Sequence, residues 1–167
     1  RDFTATITGS GNLTIQGDPD GENDTITLGK KGNSGTENSY TGKTFVTDGA
    51  TVIFQADKAM GETSSLELEN GTTVDLAGFE QTVLNLSGTG TLVVDDGASF
   101  TLDKSQESGT ITVNASLDRG AGASQDGTFI VKSSGGSLVF GSSNAFDGLV
   151  RLENTSVSYT HLRAHET

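Results

Sequence analysis

Two carboxylates, Glu69 and Asp95, are offset by 26 in the sequence. If the chain repeats with that period, they lie one above the other at about 5 Å. Such a pair has the separation of a retaining glycosidase site, or of a clamp for Ca²⁺. No Arg or Lys lies close in sequence to complete an active centre, and the ordinary role of these residues is that of solvated turn carboxylates. A second acidic group is Asp18, Asp20 and Asp24, in Asp18-Pro-Asp-Gly-Glu-Asn-Asp24. In an EF-hand loop the glycine stands at position six, whereas Gly21 comes fourth. Gly21 to Ile26 also echoes the nonapeptide of calcium-binding β-rolls, but those motifs occur in tandem and this one is alone. Gly9-Ser-Gly11 lacks the helix and Lys of a phosphate loop. Both histidines, His161 and His165, fall within the last seven residues, so Ser/His/Asp catalysis has no base elsewhere in the chain.

The 167 residues carry 10 Lys+Arg against 22 Asp+Glu, a net charge of −12, with no Cys and one Pro. The missing Cys rules out zinc ribbons, disulfide frameworks and thiol chemistry. The acidic balance argues against nucleic acid, whose phosphates need Lys and Arg. No apolar run reaches the roughly 18 residues of a membrane helix. Gly, Thr and Ser number 23, 24 and 18, too many for a helical bundle.

What remains must be built from strands. Apolar residues alternate at Leu13/Ile15, Ile26/Leu28, Val52/Phe54, Leu66/Leu68, Val74/Leu76, Leu84/Leu86 and Leu92/Val94. The alternation continues at Phe100/Leu102, Ile111/Val113, Phe129/Val131, Leu138/Phe140 and Val150/Leu152. This period of two predicts twelve short strands, each with one face buried, separated by Gly, Asn, Asp and Ser turns. Gln55–Met60 has room for one helical turn at most. Leu66, Val74 and Leu84 recur as Leu92, Phe100 and Ile111, at offsets of 26, 26 and 27. Turns recur as well: Asn70-Gly-Thr-Thr-Val74 matches Asp96-Gly-Ala-Ser-Phe100 and, at an offset of 22 before it, Asp48-Gly-Ala-Thr-Val52. A three-strand set repeating at intervals in the twenties predicts a parallel β-helix, an all-β solenoid. A β-sandwich is the alternative, since it too has closely spaced short strands.

The last eleven residues, Val157-Ser-Tyr-Thr-His-Leu-Arg-Ala-His-Glu-Thr167, differ in texture from the rest. They resemble the conceptual translation of a transposase-type sequencing adapter and are set aside as a non-native tail. Arg1 is not a start methionine and no signal sequence follows it. Residues 1–156 are therefore expected to be an internal segment of a larger protein.

One stretch goes beyond generic periodicity. Asn38-Ser-Tyr-Thr-Gly-Lys-Thr-Phe-Val opens it, Asp48-Gly-Ala-Thr-Val52 and Asn70-Gly-Thr-Thr-Val74 follow, and Leu84-Asn-Leu-Ser-Gly-Thr-Gly-Thr-Leu92 closes it. It resembles the passenger-associated repeat of bacterial autotransporters, with a degenerate second opening at Asn144-Ala-Phe-Asp-Gly148. The resemblance implies a right-handed parallel β-helix with about three short strands per winding. It also implies type V secretion to the outer membrane or cell surface through a C-terminal barrel in the parent protein. The absence of Cys suits passage through a narrow pore unfolded, and net negative charge keeps such a chain soluble.

The expected role is structural and adhesive: a non-enzymatic scaffold that presents loops to ligands on host or neighbouring cells. No catalytic, cofactor or metal residue is assigned. Gly29–Glu37, Asp103–Ser108 and Ala115–Asp126 are the expected protruding loops, and Tyr40 and Phe146 are expected to pack rather than to stack on a ligand. A β-helical polysaccharide-degrading enzyme using Glu69 and Asp95, or a calcium-dependent β-roll using Asp18, Asp20 and Asp24, is the alternative.

Overall fold

A computed structural model describes residues 2–3, 5–18, 24–29, 38–122, 127–142 and 146–153. These residues form sixteen strands, and every pairing between them is parallel. A sandwich joined by hairpins would pair its strands antiparallel. The fold is a parallel β-helix whose chain turns three corners per winding.

The first face carries β2 (Leu13–Gln16), β4 (Lys43–Thr47), β6 (Ser65–Leu68) and β9 (Asn85–Gly88). At the same point of later windings come β12 (Gly109–Val113) and β15 (Gly136–Phe140), paired as a separate sheet. The second face is a single six-stranded sheet. It comprises β1 (Asp2–Phe3), β3 (Thr25–Leu28), β5 (Thr51–Phe54), β7 (Thr73–Asp75), β10 (Thr91–Val93) and β13 (Ser116–Asp118). The third face holds β8 (Glu80–Val83), β11 (Ser99–Lys104), β14 (Thr128–Ser133) and β16 (Leu149–Glu153).

Alternation turns every second residue of a strand inward, and the register stacks these residues into columns. On the second face Ile26, Val52, Val74, Leu92 and Leu117 lie in one column. Val52, Val74 and Leu92 are wholly buried. On the third face Phe100 stacks on Phe129 with ring centroids 5.7 Å apart and planes 8° from parallel, and Phe129 meets Phe140 at 6.2 Å. No single winding encloses a core; burial comes from the neighbours above and below.

The structure corrects the sequence reading in three ways. First, the windings are unequal. Val52 aligns with Val74, Val74 with Leu92, Phe100 with Phe129 and Ile15 with Val46. By subtraction these offsets are 22, 18, 29 and 31. Leu66 consequently sits over Leu86 on the first face, while Leu92 belongs to the second. The correspondence of Asp48–Val52 with Asn70–Val74 is a true stacking, with Thr73 N donating to Ala50 O at 3.0 Å. Asp96–Phe100 uses the same residue pattern at a different corner, where Ser99 N donates to Phe79 O.

Second, four strands lack an apolar pair of the predicted kind: β1, β4, β8 and β13. In β4 the inward residues are Thr44 and Val46, and in β8 they are Gln81 and Val83. Third, Leu84 stands at the corner between β8 and β9 and is 50% exposed, whereas Leu86 is buried. Gln55–Met60 forms bends and turns with no helix, within the limit of one helical turn read from the sequence.

Among the described residues, the third face has no strands in the early windings. Asn38–Tyr40 and Ala59–Gly61 take that position, and side-chain amides replace part of the ladder. Asn38 Oδ1 accepts from Ile7 N at 2.8 Å while Asn38 Nδ2 donates to Ala59 O at 2.6 Å. One winding on, Gln81 Oε1 accepts from Met60 N at 3.0 Å and Gln81 Nε2 donates to Gly61 O at 3.2 Å. Both residues are buried, and these bonds supply the partners that buried amides require.

Candidate functional site

Glu69 and Asp95 do not form a pair. Glu69 follows β6 at a corner between the first and second faces; Asp95 follows β10 at a corner between the second and third. The stacking that would have joined them is absent, because aligned positions in these windings are offset by only 18 (Val74 to Leu92), 20 (Leu66 to Leu86) or 22 (Val52 to Val74).

Each carboxylate has a structural partner instead. Asp48 and Gly49 both have positive φ, at 52° and 71°, the two central residues of a tight turn closed by Ala50 N donating to Thr47 O. Glu69 Oε2, from the next winding, accepts the N–H of Asp48 at 2.8 Å. Ala77 and Gly78 repeat the geometry with φ of 48° and 85°. Asp75 Oδ1 accepts from Ala77 N at 2.9 Å, and Asp95 Oδ1, from the following winding, accepts from Gly78 N at 2.8 Å. Asp57 Oδ1 accepts from Glu80 N, the first N–H of β8, at 2.9 Å. Carboxylates thus fasten one winding to the next through backbone N–H groups at two corners and at the start of β8.

Electrostatics follow from this placement. Burial raises the carboxyl of Asp75 above its ordinary range; the bond from Ala77 opposes that rise, and the nearby Asp95 charge adds to it. Asp103 is lowered by the side-chain and backbone hydrogen bonds of Ser105, with a smaller contribution from Lys132.

The remaining sequence candidates are scattered. Asp18 is exposed just after β2 and Asp24 is partly buried just before β3, while Asp20 lies outside the described residues. Among the described residues no group of three or more His, Asp or Glu side chains is placed to hold a metal ion. His161 and His165 also lie outside them. Of the expected loops, 30–37 and 123–126 are outside the described residues. Asp103 and Lys104 belong to β11, and Ser116–Asp118 is β13 with Leu117 buried. Only 105–108 and 119–122 project as turns.

Tyr40 packs, as expected, and also anchors a chain of hydroxyls. It is buried, and its own hydroxyl lies 2.7 Å from Thr44 Oγ1, which lies 2.9 Å from Thr63 Oγ1. Thr63 Oγ1 donates to Gly42 O at 2.6 Å. Since Thr63 uses its proton there, Thr44 donates to Thr63 and Tyr40 donates to Thr44. Burial pushes the Tyr40 phenol up to about 12, against a smaller lowering by the Thr44 bond. Phe146 packs against the core from a partly buried position.

A column of hydroxyl residues runs along the second face: Thr25, Thr51, Thr73, Thr91 and Ser116. They alternate with the buried column and so point outward. Only the observed register reveals the column, because the intervals between its members vary. No helix of the described residues is long and apolar enough to cross a membrane.

No family model matches the chain, and no solved structure matches it. It is similar to YuaQ, an uncharacterised protein of Escherichia coli (strain K12), being 33% identical over 113 residues. The match covers 66% of this chain and 8% of that protein, so the chain corresponds to a small part of the relative's length.

Proposed function

We propose that this chain is a structural segment of a long, adhesive, surface-exposed β-helix, of the kind carried by autotransporter passengers. The observation that carries the reading is the use of the carboxylates. Glu69 and Asp95 each accept a corner N–H, and Asp57 the first N–H of β8, from an adjoining winding, which supports a scaffold rather than a reaction centre. Catalytic carboxylates instead gather around a cleft that perturbs them together. The outward hydroxyl column and the exposed turns 105–108 and 119–122 are the surfaces such a scaffold would offer to ligands on other cells. The similarity to a small part of a much longer protein agrees with a segment role.

The test uses the whole parent protein expressed in its bacterial host, with an epitope tag in turn 105–108. Proteinase K added to intact cells is expected to remove the tag, and tagged cells are expected to adhere to a cell monolayer better than cells lacking the protein. A tag that resists protease until lysis would overturn the surface assignment. Exposure without any gain in adhesion would overturn the adhesive one.

A further inference from the structure

Asn70-Gly71 is the single Asn-Gly dipeptide of the sequence, and the fold places it at an exposed corner between β6 and β7. Thr72 N donates to Glu69 O at 3.1 Å, closing a tight turn in which Gly71 has φ of 86°. A positive φ at the third turn position is the mark of a type II turn and favours glycine there. A Cβ built on Gly71 would meet nothing within 4 Å, so water has free access. Three other asparagine side chains are engaged. Asn12 Oδ1 accepts from Lys43 N at 3.0 Å, Asn85 Oδ1 accepts from Lys104 Nζ, and Asn38 is buried with both ends bonded.

We infer that Asn70 is a site of covalent self-modification, deamidating through a succinimide while the protein is folded. The Gly71 nitrogen gives up its proton and attacks Asn70 Cγ, forming a carbon–nitrogen bond as ammonia leaves. Glycine is the residue that hinders this attack least. Water then opens the ring at either carbonyl, leaving aspartate or isoaspartate at position 70. Nothing is oxidised or reduced, and water is the only co-reactant.

The two products differ in consequence. The same corner of the preceding winding carries an aspartate, in Asp48-Gly49, there in a turn with both central residues at positive φ. At position 70 the side chain is exposed, so an aspartate of the same size fits. Isoaspartate adds a methylene to the backbone inside the turn. That displaces Thr72 and Thr73, whose N–H groups bond to Glu69 O and Ala50 O. Either product also places a new carboxylate beside Glu69, and Glu69 holds Asp48 N at 2.8 Å. The modification therefore adds charge where two windings are fastened.

The experiment incubates the folded chain at mildly alkaline pH, maps the product by peptide fragmentation, and counts isoaspartate by methyl transfer from S-adenosylmethionine with a protein isoaspartyl methyltransferase. Conversion is expected first at Asn70, with loss of that methyl acceptance in N70Q. The N70D chain is expected to keep the fold, judged by its circular dichroism. Conversion at another asparagine first, or unchanged methyl acceptance in N70Q, would overturn the proposal. So would an intact Asn70 in the folded chain when the urea-unfolded chain converts. Should N70Q fail to fold, fragment mapping of the unsubstituted chain decides alone.

Discussion

Glu69 reaches back one winding to take the backbone N–H of Asp48 at 2.8 Å. A side chain here substitutes for strand pairing, at a corner where the chain has turned left-handed and the ladder is interrupted. Both groups are exposed, so the gain is below that of a buried charge-assisted bond. Glu69→Ala is expected to cost about 0.5–1 kcal/mol. Glu69→Gln keeps an acceptor and loses less. Urea denaturation of the two variants is the check, and equal losses would mean that charge rather than the hydrogen bond matters.

Leu92 and Leu84 make a sharper comparison, because periodicity treats them alike. Leu92 is fully buried between Val74 and Leu117, whereas Leu84 is 50% exposed at a corner. Leu92→Ala is expected to cost about 2–5 kcal/mol, and Leu84→Ala to fall within about 0.5 kcal/mol of the parent. Thermal unfolding measures both. Similar losses would contradict the register.

Tyr40 supplies an alkaline signature. Its folded value of about 12 lies above the ordinary 10.0. The stability linked to its neutral phenol is therefore complete below the unfolded value and is lost as pH rises through the folded one, to a total of roughly 3 kcal/mol. Ultraviolet titration in a Tyr159→Phe background is expected to show ionisation delayed until the protein unfolds. Tyr40→Phe is expected to cost about 1 kcal/mol at neutral pH and to remove the added alkaline sensitivity. Ionisation at the ordinary value in the folded chain would refute the buried hydroxyl chain.

Asp75 acts in the acid range. Burial and the nearby Asp95 raise its folded carboxyl above the unfolded one, so its contribution favours the fold below the unfolded value and is lost as pH rises through the folded one. Asp75→Asn keeps an acceptor for Ala77 N and carries no charge. It is expected to raise the melting temperature at neutral pH and to lose that advantage in acid, where the parent carboxyl is protonated. A variant less stable than the parent at neutral pH would show that the charge itself supports the corner.

Much of the architecture was open to reading from the chain alone. The alternation in Val52/Phe54, Phe100/Leu102 and Phe129/Val131, and the recurring Asp/Asn-Gly corners, are local consequences of the pleat and of φ > 0 turns. They required short strands, sharp corners and a stacked coil. The inward Thr44 and Gln81 were not legible, since a buried polar residue is recognisable only once its partners in adjoining windings are known. Nor was the fate of the carboxylates: Glu69 and Asp95 carry the same chemistry wherever they fall.

Residue types by themselves determined that this chain coils, where it bends and which side of most strands faces inward, because those properties depend on neighbours a few positions away. Only the tertiary structure decided which bend lies over which. The corner pattern Asp/Asn-Gly-Ala/Thr satisfies any corner that needs left-handed backbone, and so it appears at two different corners of the coil. Stacking register, by contrast, is set by the length of every side of every winding. The offset between aligned positions ranges from 18, for Val74 and Leu92, to 31, for Ile15 and Val46. That sum is a long-range quantity which no repeated motif records, and it placed Glu69 beside Asp48 rather than beside Asp95.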